Sequence, residues 1–146
     1  MYNLYNPLDL TQEQKLVYIR LLFYLAKSDN NPDTLECNYI KKMMSRFGLS
    51  ADVLQSLSIP KSLDDLQGVL RPIKGKEMAV DLIHCLWFAA SVDSEISTEE
   101  IKIIRNVARI LNVDEDMVLV INNFVLDEMT FMQQACEVLG TAVLAC

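Results

Sequence analysis

Turn formers and metal-binding side chains are scarce in this chain, with four glycines, four prolines and a single histidine in 146 residues. So few glycines and prolines exclude a sandwich or barrel of many short strands, and favour long helices joined by short connections. The lone histidine, His84, cannot complete a zinc site of the usual spacing, and Cys37, Cys85, Cys136 and Cys146 stand far apart without a CxxC pair. They read as reduced core thiols. A Gly-rich phosphate loop, a nucleophile elbow, an HExxH zinc motif and an HPD tripeptide are all missing, so an enzymatic reading has no residues to stand on and no catalytic residue is assigned. Positive charge is short as well: thirteen basic residues against twenty acidic ones leave a net charge of −7. That field repels phosphate backbones and anionic lipid, so neither nucleic acid nor a membrane is an expected partner. No apolar run reaches the ~18 residues a spanning helix needs. The opening MYNLYNPLDL is unlike a signal peptide and the closing LAC unlike a prenylation box, so the cytoplasm is the expected location.

What the chain does have is apolar side chains, 51% against 23% charged, which rules out a disordered polymer. A chain of this length suits one domain over residues 1–146. It also repeats itself. Setting Leu22 to Leu54 beneath Leu86 to Val118 matches Leu22 with Leu86, Ala26 with Ala90, Asp29 with Asp93, Glu36 with Glu100, Ile40 with Ile104 and Asp52 with Asp116. Other columns keep their chemistry, with Phe23 over Trp87 and Lys41 over Arg105. One helical unit used twice is the simplest reading.

The expectation is therefore an all-α domain of about seven or eight helices with an internal pseudo-two-fold repeat. Unit one runs over about 11–57, an inserted short helix over about 61–71, unit two over about 75–126 and a C-terminal helix over about 130–145. Helix starts are marked by capping pairs three residues apart: Thr11 with Gln14, Asp33 with Glu36, Ser62 with Asp65, Ser97 with Glu100 and Thr130 with Gln133. Gly48 and Asn112 stand where left-handed C-terminal residues belong. In the fifth helix the inner stripe is Ala79, Leu82, Ile83, Leu86, Ala89 and Ala90, with Trp87 beside it; the broad apolar row of the sixth implies burial on two sides. The turns around Leu22, Phe23 and Ala26 and around Leu86, Trp87 and Ala90 are the most apolar of their units and are expected to pack together. His84 takes the place of Arg20, a basic position in both units, which is expected to face solvent or a nearby carboxylate.

Each unit sets an Asp after a long apolar helix and a Glu seven residues on: Asp29 with Glu36, and Asp93 with Glu100, joined by Glu95. Two readings follow. Carboxylates at helix N-termini are favoured by about 0.3 to 1 kcal/mol each through the macrodipole, so capping accounts for them. Clustered carboxylates beside turn carbonyls are also what Ca²⁺ or Mg²⁺ bind, which makes Asp29, Glu36, Asp93, Glu95 and Glu100 candidate ligands. An EF-hand is excluded, since Thr34 stands where that loop turns on glycine and Ile40 where it needs a bidentate glutamate.

The doubled pattern Ala26-x-x-Asp29 with Glu36-x-x-x-Ile40, and Ala90-x-x-Asp93 with Glu100-x-x-x-Ile104, resembles the signature of the TerB-like domains, found in tellurite-resistance proteins and in the N-terminal region of DjlA co-chaperones. The likeness covers Leu16 to about Ile121. It implies a helical pseudo-two-fold fold, partners within a stress-related protein assembly, and divalent-cation binding at the acidic positions above. Asn30 and Ser94 replace the glycine usual after the Asp, and Asn31-Pro32 alters the first turn. Without a J-domain the co-chaperone role does not transfer. A non-enzymatic interaction module is the leading expectation, with a ligand-free dimerisation domain and, after it, an enzyme of unknown class as the alternatives.

Overall fold

The computed structural model describes residues 9–28, 34–92 and 96–140, with only the backbone of residues 34–35. Among these residues the chain forms seven helices and no strand: α1 (Gln12–Ser28), α2 (Thr34–Phe47), α3 (Asp52–Ser56), α4 (Leu63–Val69), α5 (Lys76–Ser91), α6 (Thr98–Ile110) and α7 (Glu115–Leu139). None is long and apolar enough to cross a membrane.

Local chemistry sets most of the boundaries. Thr11 and Gln14 exchange the two bonds of a capping box at the start of α1, at 3.1 and 2.9 Å. Ser62 accepts from the Asp65 amide to start α4, and Asp114 from the Met117 amide to start α7. Such caps satisfy amides that the first helical turn leaves without partners. Gly48 and Asn112, at φ of 69° and 59°, end α2 and α6 in the left-handed region, as their positions predict.

The C-terminal helix departs from expectation. No break separates the segment after Asp114 from a helix starting at Thr130; α7 is continuous to Leu139 and stops on Gly140, at φ 66°. Leu126-Asp-Glu-Met contains no helix breaker, and the Thr130 hydroxyl bonds back to the Leu126 carbonyl at 3.0 Å instead of capping a new helix.

The core is organised around α5, which packs against α1, α2, α6 and α7. Every residue from Asp81 to Ser91 is buried, so the stripe read from the sequence understates this helix: it has no outward face over three turns. A helix apolar on all sides belongs in the centre of its fold. The broad apolar row of α6 proves to be one inner face instead, with Lys102, Arg105 and Arg109 exposed opposite Ile103, Ile104, Val107 and Ala108. Leu22, Ala26, Leu86, Trp87 and Ala90 are all buried, Phe23 partly so, and α1 packs on α5. Aromatic contacts join the layers, Tyr18 edge-on to Phe47 at 5.7 Å between α1 and α2, and Tyr39 against Phe88 at 5.1 Å between α2 and α5. Surface ion pairs such as Lys102 with Glu99 contribute little, about 0 to 1 kcal/mol each.

Candidate functional site

Of the five carboxylates expected to hold a cation, Asp29, Asp93 and Glu95 lie outside the described residues. Glu36 and Glu100 sit in the first turns of α2 and α6, only 4% and 1% exposed. Glu100 works as a cap: its Oε1 accepts from the Ser97 amide at 3.0 Å, and Ser97 Oγ accepts from the Glu100 amide at 3.1 Å. Its burial beneath the start of α6 makes that box part of the core boundary.

The polar cluster that sequence reasoning missed lies inside α5. Asp81, His84 and Cys85 are spaced i, i+3 and i+4, which puts all three on one side of the helix. All are buried, and a carboxylate oxygen, a ring nitrogen and the sulfur lie within 4.8 Å of one another. Each draws on a different neighbouring helix. The Tyr18 hydroxyl of α1 donates to Asp81 Oδ2 at 2.7 Å. His84 Nε2 lies 2.5 Å from Glu128 Oε1 of α7, with the ring of Phe124 5.5 Å away. A hydrogen bond joins Tyr39 of α2 to Cys85.

Burial pushes the Cys85 thiol well above its ordinary range, and the Asp81 carboxylate reinforces the shift. Burial likewise raises the Tyr39 phenol, with Cys85 and then Asp81 adding to it and Arg46 opposing. Both groups are therefore held neutral in the core. His84 is 2% exposed, so it meets the carboxylate that its sequence position predicts but not the solvent. Its Nδ1 is buried and has no hydrogen-bond partner among the described residues. Cys37, Cys85 and Cys136 form no disulfide among the described residues. The signal for the cluster was present in the sequence as two polar residues, Asp81 and His84, inside the most apolar helix; their partners are 63 and 44 residues away, beyond any local pattern.

Two surface features complete the description. A cavity of about 560 Å³, open to solvent, lies beside the start of α5, lined by Lys76, Glu77, Val80 and Met117. On α7 no residue beyond Val125 is buried, and Leu126, Phe131, Val138 and Leu139 stand 49 to 84% exposed. The helix carries Glu115, Asp116, Asp127, Glu128 and Glu137 but neither lysine nor arginine.

Comparison with known proteins found one family. Residues 21–120 match the family described as Tellurite resistance protein TerB, from the third turn of α1 into the second turn of α7. No curated protein and no solved structure matches the chain.

Proposed function

Because the chain belongs to the Tellurite resistance protein TerB family, we propose that it is a non-enzymatic interaction module of a stress-related assembly, holding its partner on the C-terminal half of α7. The observation that carries this reading is the run of exposed apolar side chains from Leu126 to Leu139 on a helix whose preceding turns are anchored to α5. Isolated exposed leucines are ordinary, but several large apolar groups exposed along the outer side of one helix mark a contact surface. The family match ends at residue 120, so this half-helix lies outside the matched domain. The exposed charges among these side chains, Asp127 and Glu137, are both acidic, which favours a partner helix bearing lysine or arginine around an apolar stripe. A second copy of the same acidic helix would meet like charge. The non-enzymatic reading is supported by the burial of His84 and Cys85, which keeps the imidazole and the thiol from the surface.

The test uses the full chain and a labelled amphipathic helical peptide with a leucine stripe and lysine flanks, followed by fluorescence anisotropy. Burying one large apolar side chain contributes about 1.5 to 3 kcal/mol, so Phe131→Asp should weaken binding at least about tenfold while the melting temperature holds. Added salt should weaken binding further. Equal binding by parent and variant overturns the reading. A solution mass of two chains that falls to one in Phe131→Asp replaces it with homodimerisation.

A further inference from the structure

We propose that Asp81, His84 and Cys85 form a binding site for a divalent transition-metal ion of the zinc or cobalt class at the centre of the helical bundle. This inference is independent of the docking surface on α7. Three observations converge on it. The ligand atoms are already gathered, within 4.8 Å of one another on one buried face of α5. In a tetrahedral site with bonds of about 2.0 to 2.3 Å, ligand atoms stand roughly 3.3 to 3.8 Å apart, so side-chain rotation of about an ångström closes the set.

The imidazole supplies the second observation. Glu128 occupies Nε2, which leaves Nδ1 buried and without a hydrogen-bond partner among the described residues. A buried ring nitrogen in that state is costly unless something accepts its lone pair or proton. With the hydrogen on Nε2 donated to Glu128, the Nδ1 lone pair is the donor a metal needs, and carboxylate, imidazole and ion then stand in the order common to histidine-bound metals.

The third observation is the donor chemistry. One carboxylate oxygen, one nitrogen and one sulfur do not suit Ca²⁺, which takes six to eight oxygens, or Mg²⁺, which keeps an octahedral oxygen shell. Imidazole and thiolate select the later transition metals. On binding, the Cys85 S–H bond breaks, its proton passes to solvent buffer and the sulfur lone pair forms the bond to the ion, with no change of oxidation state. The anionic carboxylate and thiolate then balance a dipositive ion, leaving a neutral centre that the dry interior tolerates. The fourth tetrahedral place falls to water.

Anaerobic titration of the chelator-treated full chain with Co²⁺ tests this directly. The expected result is one equivalent bound, a thiolate-to-cobalt charge-transfer band in the near ultraviolet, about one proton released per ion and a higher melting temperature. Cys85→Ser should abolish the band, whereas the double variant Cys37→Ser, Cys136→Ser should keep it. Glu128→Gln, which touches the imidazole at the edge of the core, should lower affinity by about 10- to 100-fold. Should Cys85→Ser fail to fold, X-ray absorption of the parent bound to Co²⁺ reads the number of sulfur ligands without any substitution. A parent chain that gives no band, a band that survives in folded Cys85→Ser, or a cobalt shell without sulfur overturns the proposal.

Discussion

Truncating Leu86 to alanine puts the central position of α5 to the test. Its side chain has no exposed surface and lies on the helix that α1, α2, α6 and α7 surround. Removing it leaves a void in a close-packed interior, and buried Leu→Ala changes cost about 2 to 5 kcal/mol. Against a total stability of about 5 to 15 kcal/mol, that is a large share. At about 2 to 4 °C per kcal/mol for a domain of this size, the midpoint of thermal unfolding should fall by roughly 4 to 20 °C. Phe131 is the natural control, a larger apolar side chain that is 69% exposed. Phe131→Ala should stay within about 0.5 kcal/mol of the parent, or about 2 °C. Both values are read from circular dichroism melts and urea midpoints of the two variants and the parent at one protein concentration. Two results refute the reasoning. A loss under about 1 kcal/mol at Leu86 means that α5 is not enclosed, and equal losses at both sites mean that the last turns of α7 cover a core in solution.

Three further outcomes are expected. Tyr18→Phe removes the hydroxyl donated to the buried Asp81 carboxyl, and should cost about 1.5 to 3 kcal/mol in urea unfolding; a neutral result would show that the pair adds nothing. In chelator, stability should decline above about pH 8.5: burial keeps the Cys85 proton in the folded chain while the unfolded chain releases it, so the contribution is complete below that pH and is lost above it, by up to about 1.4 kcal/mol per pH unit. Tyr39 extends the decline from about pH 10, and Cys85→Ala should delay its onset. If Asp29, Glu36, Asp93, Glu95 and Glu100 hold Ca²⁺ or Mg²⁺ with a dissociation constant of about 1 mM, about 10 mM ion should add about 1.4 kcal/mol. Equal stabilisation by NaCl at matched ionic strength, or of Asp93→Asn, leaves these carboxylates with capping alone.

Where structure follows from neighbours in the chain, the sequence was readable. The Thr11–Gln14 and Ser97–Glu100 boxes, the Ser62 cap and the left-handed Asn112 all act within a few residues, and each was predicted from its spacing or position. The same rule misled at Thr130, where a threonine three residues before Gln133 looks like a cap but continues a helix that nothing interrupts. Asp81 and His84 were opaque for the opposite reason. A nearby carboxylate was expected for His84, but which one, and that Asp81 would find Tyr18 in the core, depends on tertiary packing. The surface acids were conspicuous in sequence, whereas the gathered nitrogen, oxygen and sulfur donors became visible only once α5 was found to be enclosed.

That enclosure also has a consequence for how the protein is made. During synthesis α5 leaves the ribosome after α1 and α2 but before α6 and α7, so the helix with no outward face is for a time covered on one side only. Exposed apolar surface of this kind drives aggregation of partly folded chains. A chain that stops after Ser91 should therefore collect in the insoluble fraction, and one that runs through α7 should not. In the finished protein the same helix should hold the slowest-exchanging amides, opening to solvent only when the whole domain opens.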